Sequence, residues 1–162
     1  MDIDYQSITI HPNDHAGYYP GATPLTLKLV FSPTDGRIFG AQIAGRSGVD
    51  KRIDEIALAI KHHDTIYDLM ALEQAYALPS RRPRTRAMAA YVAENVLTHR
   101  MQPLYWRELR DADPSVVTLL DVRTELEFGL GSLPGAVNIP LDDLRNRLDE
   151  LPADNPSLCS AV

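Results

Sequence analysis

The stretch "LTLKLVFSPTDGRIFGAQIAG", Leu25 to Gly45, decides the fold. From Leu25 to Ser32, apolar and polar side chains alternate with period two, the pattern of a half-buried strand. Asp35-Gly36 carries hairpin-turn chemistry, so Arg37 to Ala44 is expected to return beside the first strand. Upstream, "YQSITIHP" is a further β-rich alternating run, stopped by Pro12. Together these predict an antiparallel sheet of about three strands.

The period then changes. In "GVDKRIDEIALAIKHHD", Val49, Ile53, Ile56, Ala57 and Ile60 recur at helical spacing and predict an amphipathic helix. His62 and His63 close it, where cations suit the helix dipole. Adjacent histidines leave a helix on different sides, so they do not read as a shared metal site. "TIYDLMALEQAYALP" predicts a second, short helix, with Thr65 as its N-cap and Pro79 as its stop. "SRRPRTR", Ser80 to Arg86, is a basic tract in an otherwise acidic chain, expected as a solvated loop or an anion patch. "AMAAYVAENVLTHRM" follows as a helix with Met88, Val92, Val96 and Leu97 as its stripe.

A second unit starts near Pro103. "LYWRELRD" predicts a short helix, and "SVVTLLDVR" a buried parallel strand. "TELEFGLG" predicts a helix and "PGAVNIP" a second strand. "LDDLRNRLDELP" predicts a helix with leucines at 141, 144, 148 and 151. The order is that of an α/β domain. With two strands it is half a sheet, which leaves an edge open.

Composition narrows the function. The chain has 162 residues, 44% of them hydrophobic and 23% charged, with a net charge of −6. Those values describe a globular protein and argue against a general nucleic-acid binder. No apolar run approaches a membrane span, and the acidic start "MDIDYQSITIHP" lacks signal-peptide layout, so a cytoplasmic protein is expected. Cys159 is the only cysteine, which excludes an intrachain disulfide and a cysteine-rich zinc site. The P-loop, HExxH and CxxC patterns are absent. "GLGSLPG", residues 129–135, has nucleotide-loop glycines but follows a helix rather than a strand. "HAGYYPGATP", His15 to Pro24, sets two tyrosines among turn residues, where a core or strand position is more usual.

Two passages resemble known families. "HAGYYPGATPLTLKLVF", "GRIFGAQIAGRSGVDKRIDEIALAI" and "AYALP…YVAENVL" resemble the dimerisation domain of the pyridine nucleotide-disulfide oxidoreductases, in its coenzyme A-disulfide reductase and NADH oxidase branch. "LLDVRTELEFGLGSLPGAVNIPLDDLRNRLDELP" resembles the first half of a rhodanese domain. The implied organisation is an α+β dimerisation domain over residues 1–102, followed by an incomplete α/β rhodanese-like domain over 103–162. After "AYA" the family pattern runs roughly "PPYSSAKDPVNMAG", whereas this chain has "LPSRRPRTRAMAA". A one-nucleotide frame slip over Leu78 to Arg86 would give such a tract.

The resemblance implies a parent enzyme that uses FAD and NAD(P)H to reduce coenzyme A disulfide or polysulfide. No cofactor is expected on this chain alone. It implies that Tyr18 and Tyr76 face the redox cysteine of a partner subunit, and that Tyr19 packs. Phenols suit that place because they donate hydrogen bonds to thiolates. Asp121 and Arg123 match the rhodanese "DVR" in a structural role. Cys159 stands where a sulfurtransferase nucleophile is sought, but too soon after Pro156 and with no loop following it. The first expectation is thus a C-terminal reductase fragment, a homodimer or the partner of a full-length reductase subunit, inactive alone. The alternatives are a stand-alone dimerisation module and a weak rhodanese-type sulfurtransferase acting through Cys159.

Overall fold

The computed structural model describes residues 3–73, 85–111, 113, 117–152 and 157–160. The chain divides into two compact units, Met1–Pro103 and Leu104–Val162.

The first unit is built on strands β1 (Gln6–Ile10), β2 (Leu25–Phe31) and β3 (Ile38–Gly45), in the order β1-β2-β3 with both pairings antiparallel. The alternation of Leu25 to Phe31 is used as expected: Leu25, Leu27, Leu29 and Phe31 are buried, while Thr26 is exposed. Burying such a side chain contributes about 1.5–3 kcal/mol. At the hairpin, Gly36 takes a φ of 73°, which an L side chain adopts at a cost. The Gly36 carbonyl accepts from Ile66 N–H (2.9 Å), which pins the turn to the second helix.

Three helices join this sheet: α1 (Val49–His62), α2 (Ile66–Ala71) and α3 (Thr85–Leu97). Thr65 caps α2 as expected, with Asp68 accepting from its N–H (2.8 Å) and its hydroxyl (2.7 Å). Two stripes differ from expectation. On α1, Ala57 is exposed and Ala59 is buried. On α3, Met88 is 40% exposed, and the buried face is Ala89, Ala90, Ala93 and Val96. Small side chains let α3 lie close to its neighbours, so its tightest face is not its most hydrophobic one. In the basic tract, Arg86 is buried rather than solvated; residues 74–84 lie outside the described residues.

The second unit contains α4 (Trp106–Asp111), β4 (Thr118–Asp121), α5 (Glu125–Leu130), β5 (Val137–Asn138), α6 (Leu141–Leu144), a 3-10 turn (Leu148–Glu150) and β6 (Ser157–Ser160). Its sheet has the order β5-β4-β6, all parallel, with β4 in the centre. β6 corrects the reading of half a sheet with two strands. The helix expected over 141–152 is one turn and a separate 3-10 turn. Only Leu144 and Leu151 reach the cluster of Leu120, Val122 and Ile139, while Leu141 and Leu148 are exposed. Apolar contact at half of the leucines does not hold a longer helix.

Candidate functional site

The tyrosine-bearing turn lies between β1 and β2, and its mouth is closed by main-chain bonds. Leu25 N–H donates to the Pro12 carbonyl (2.7 Å) and Asp14 N–H to the Thr23 carbonyl (2.9 Å). The Asp14 carboxylate completes the closure. Its Oδ1 accepts from His15 N–H (2.9 Å) and Thr23 N–H (2.8 Å), and its Oδ2 from the Thr23 hydroxyl (3.1 Å). The Thr23 N–H foremost, aided by the Ser47 and Thr23 side chains and the His15 ring, holds its pKa down at about 2 against the effect of burial. Aspartate suits such turns because its side chain bonds nearby main-chain donors.

This closed loop presents the tyrosines unequally. Tyr18 is 62% exposed, and Tyr19 is half-buried beside it, with ring centroids 5.1 Å apart and planes tilted by 43°. Tyr19 N–H donates to the Ala16 carbonyl (2.9 Å), and Gly21 takes a φ of 83° to turn the chain back. The Tyr18 phenol is therefore offered outward from a loop that its neighbours hold shut. It can donate a hydrogen bond to an approaching anion or thiolate.

Arg52 of α1 ties the base of the loop to the start of α3. Arg52 donates from Nη2 to the Asp14 carbonyl (2.6 Å), from Nη1 to the Gly48 carbonyl, and from Nε to the Thr85 hydroxyl (2.9 Å). Arg86 donates to Glu55 (2.8 Å) and to the Leu72 carbonyl (3.3 Å). Arg52 did not stand out in the sequence, and Arg86 did so only as the end of the basic tract. Partners on distant segments, such as Asp14 and Thr85 for Arg52, leave no spacing to read. Asp14 had a signal, an acidic turn former before "HAGYYPG". Tyr76 lies outside the described residues, so the structure does not place it beside Tyr18.

In the second unit, Asp121 is buried at the end of β4 and bonded to Arg123 through Nε (3.0 Å) and Nη2 (2.6 Å). Arg123 lowers the Asp121 pKa and Asp121 raises that of Arg123. Arg123 also reaches the Gly131 carbonyl (2.8 Å), while the Asn138 amide donates to the carbonyls of Asp121 (3.0 Å) and Arg123 (2.9 Å). This network joins β4, α5 and β5. Cys159 lies within β6, its backbone opposite Leu120. The glycine run 129–135 leaves α5 and leads into β5, so no helix opens from it toward a nucleotide phosphate. Among the described residues, no helix is long and apolar enough to cross a membrane.

Residues 1–82 match the pyridine nucleotide-disulphide oxidoreductase dimerisation domain, and residues 103–159 match the rhodanese-like domain. The chain is 37% identical over 83 residues to a coenzyme A disulfide reductase of Staphylococcus epidermidis, a match that covers 51% of this chain and 19% of that protein. The crystal structure of reduced Bacillus anthracis CoADR-RHD superposes with a TM-score of 0.92 at 41% identity, covering 98% of this chain and 29% of that one. A NAD-dependent persulfide reductase from A. fulgidus gives 0.83 at 34% identity, covering 97% and 28%. The chain thus spans less than a third of the length of each of these proteins.

Proposed function

Since the chain belongs to the pyridine nucleotide-disulphide oxidoreductase dimerisation-domain family and carries rhodanese-like residues after it, we propose that it serves a coenzyme A-disulfide reductase-like oxidoreductase as its dimer-forming and rhodanese-like portion. The observation that carries this reading is the superposition of both units, in the same order, on the B. anthracis protein over 98% of the chain. In this reading, residues 1–102 pair with a second subunit, and 103–162 are the rhodanese-like part.

The site is composite. Tyr18 and Tyr76 are supplied in trans to a partner subunit that holds the redox cysteine. The Tyr18 phenol donates its O–H to the sulfur anion released when a disulfide or persulfide bond is split. The exposure of Tyr18 on a closed loop supports that role, because a donor held in place loses little freedom on meeting its acceptor. The substrate class is a coenzyme A disulfide or a polysulfide. FAD and NAD(P)H would supply the electrons in the parent enzyme. Cys159 lies one residue before the end of β6 and would be the nucleophile only in the alternative, sulfurtransferase reading.

A chimera tests the reading. In a coenzyme A disulfide reductase with a rhodanese-like domain, the matching segment is replaced by these 162 residues. The chimera is expected to be a flavoprotein dimer that reduces coenzyme A disulfide. Tyr18→Phe in it should lower kcat by about tenfold or more, the loss of a hydrogen bond to a charged sulfur. A dimeric flavoprotein indifferent to Tyr18→Phe refutes the composite site. Thiosulfate:cyanide transfer by the 162-residue chain, abolished by Cys159→Ala, would instead establish the sulfurtransferase reading.

A further inference from the structure

A two-stranded ribbon holds its shape poorly unless something supports it from the side. The Tyr18 loop is the end of such a ribbon. The outermost β2–β3 pair is Leu25 with Gly45, and beyond it the β1–β2 ribbon continues through the isolated bridge between Asn13 and Pro24. Asp14 is the next residue outward, and both of its polar groups reach the start of α1. Its carbonyl accepts from Arg52 Nη2 (2.6 Å), and its carboxylate is bonded by the side chain of Ser47, two residues before that helix. Arg52 is braced in turn on the Gly48 carbonyl and the Thr85 hydroxyl. The same carboxylate takes the N–H groups of His15 and Thr23, at the two ends of the loop body. One residue thus joins both ends of the loop to the beginning of one helix. The burial agrees: the Asp14 side chain and Ala16 are shut from solvent, while the Tyr18 ring, two residues further on, stands in it.

We propose, on the reading that Tyr18 donates to a sulfur of a partner subunit, that Asp14 is the positioning residue for that tyrosine: it docks the loop on the start of α1 and so fixes where the phenol stands. The polar groups of Asp14 are engaged within its own subunit, so its effect on the reaction passes through Tyr18.

The 162-residue chain labelled with 3-fluorotyrosine gives the first test, its Tyr18 resonance assigned with Tyr18→Phe. Asp14→Asn keeps the shape but sets an amide N–H2 among groups that are themselves donors. It is expected to move the Tyr18 resonance. It should also speed exchange of the Tyr19 and Thr23 amides by about tenfold or more beyond any change at Leu27 and Leu29. Ser47→Ala and Arg52→Gln approach the same contact from the helix side, leave Asp14 in place, and should move the Tyr18 resonance too. A resonance that ignores all three variants overturns the proposal. So do loop and β2 amides that rise by the same factor, which would mark a general loss of stability. The reductase chimera gives the second test. Asp14→Asn should lower kcat toward the Tyr18→Phe value with KM little changed. The double variant should be no slower than Tyr18→Phe alone, because Asp14 acts through the phenol. An unchanged kcat in Asp14→Asn, or losses that multiply in the double variant, overturns the proposal. A chimera indifferent to Tyr18→Phe refutes the donor role on which the proposal rests, whereas silent spectra refute the docking alone.

Discussion

Asp14 buries its carboxylate at the mouth of the loop, whereas Tyr18 keeps most of its ring in solvent. The carboxylate binds its proton less tightly in the folded protein, at about 2, than at its ordinary value of 3.8. Its contribution to stability is therefore complete above about pH 4 and is lost as pH falls through 3.8 toward about 2. Melting curves of the wild type and Asp14→Asn should differ most above that window and converge below it; a gap that stays constant down to pH 2 would show that the charge plays no part. Tyr18→Phe should leave stability within about 0.5 kcal/mol in urea, since the hydroxyl stands on an exposed ring. A larger loss would mean that its hydroxyl is structural. At this scale the sequence exposed the turn, because glycine and proline announce one around Tyr18. It did not expose Arg52, two of whose three partners are backbone carbonyls that every residue possesses.

Among the elements, the hairpin was the most legible, because a period of two admits one register with the apolar face inward. The helices were legible in place but less so in orientation. On α3 the reading favoured the bulky residues, yet Ala89, Ala90 and Ala93 are fully buried and Met88 is not. Ala93→Leu, a gain in hydrophobicity, is therefore expected to destabilise by about 1–3 kcal/mol in urea unfolding through overpacking. Unchanged or increased stability would show slack on that face. Gly45 poses a similar constraint on β3. A Cβ there would run into the Leu25 side chain and lie 3.3 Å from Val49 Cγ2. Gly45→Ala should cost about 1–3 kcal/mol by the same measurement, with its effect relieved by Leu25→Val. β6 escaped the sequence reading because a short run near Cys159 has no period of its own; it is defined by pairing with β4, which lies far away in the chain.

Taken whole, the molecule divides its apolar material unevenly. The first unit buries Ile8, Leu27, Leu29, Phe31, Ile38, Ile56, Ile66 and Leu69 in one cluster, while the described cluster of the second is Leu120, Val122 and Ile139. Protection in native-state hydrogen exchange follows such burial. The Leu120 and Val122 amides should exchange well before those of Leu27 and Leu29, and equal protection would mean that the units unfold as one. The two-unit order was readable because the hydrophobic pattern changes character near Pro103. The depth of the second core was not, since Leu141 and Leu148 look like core residues and lie on the surface. The parallel sheet also has a history that its finished form conceals. β4 is central, yet both strands that flank it come later in the chain. On the ribosome, at about 5–20 residues per second, β4 emerges with two bare edges and waits seconds for Ser157–Ser160 to appear. The first unit can already have closed by then, so the strand edges of the nascent second unit are the ones left open longest.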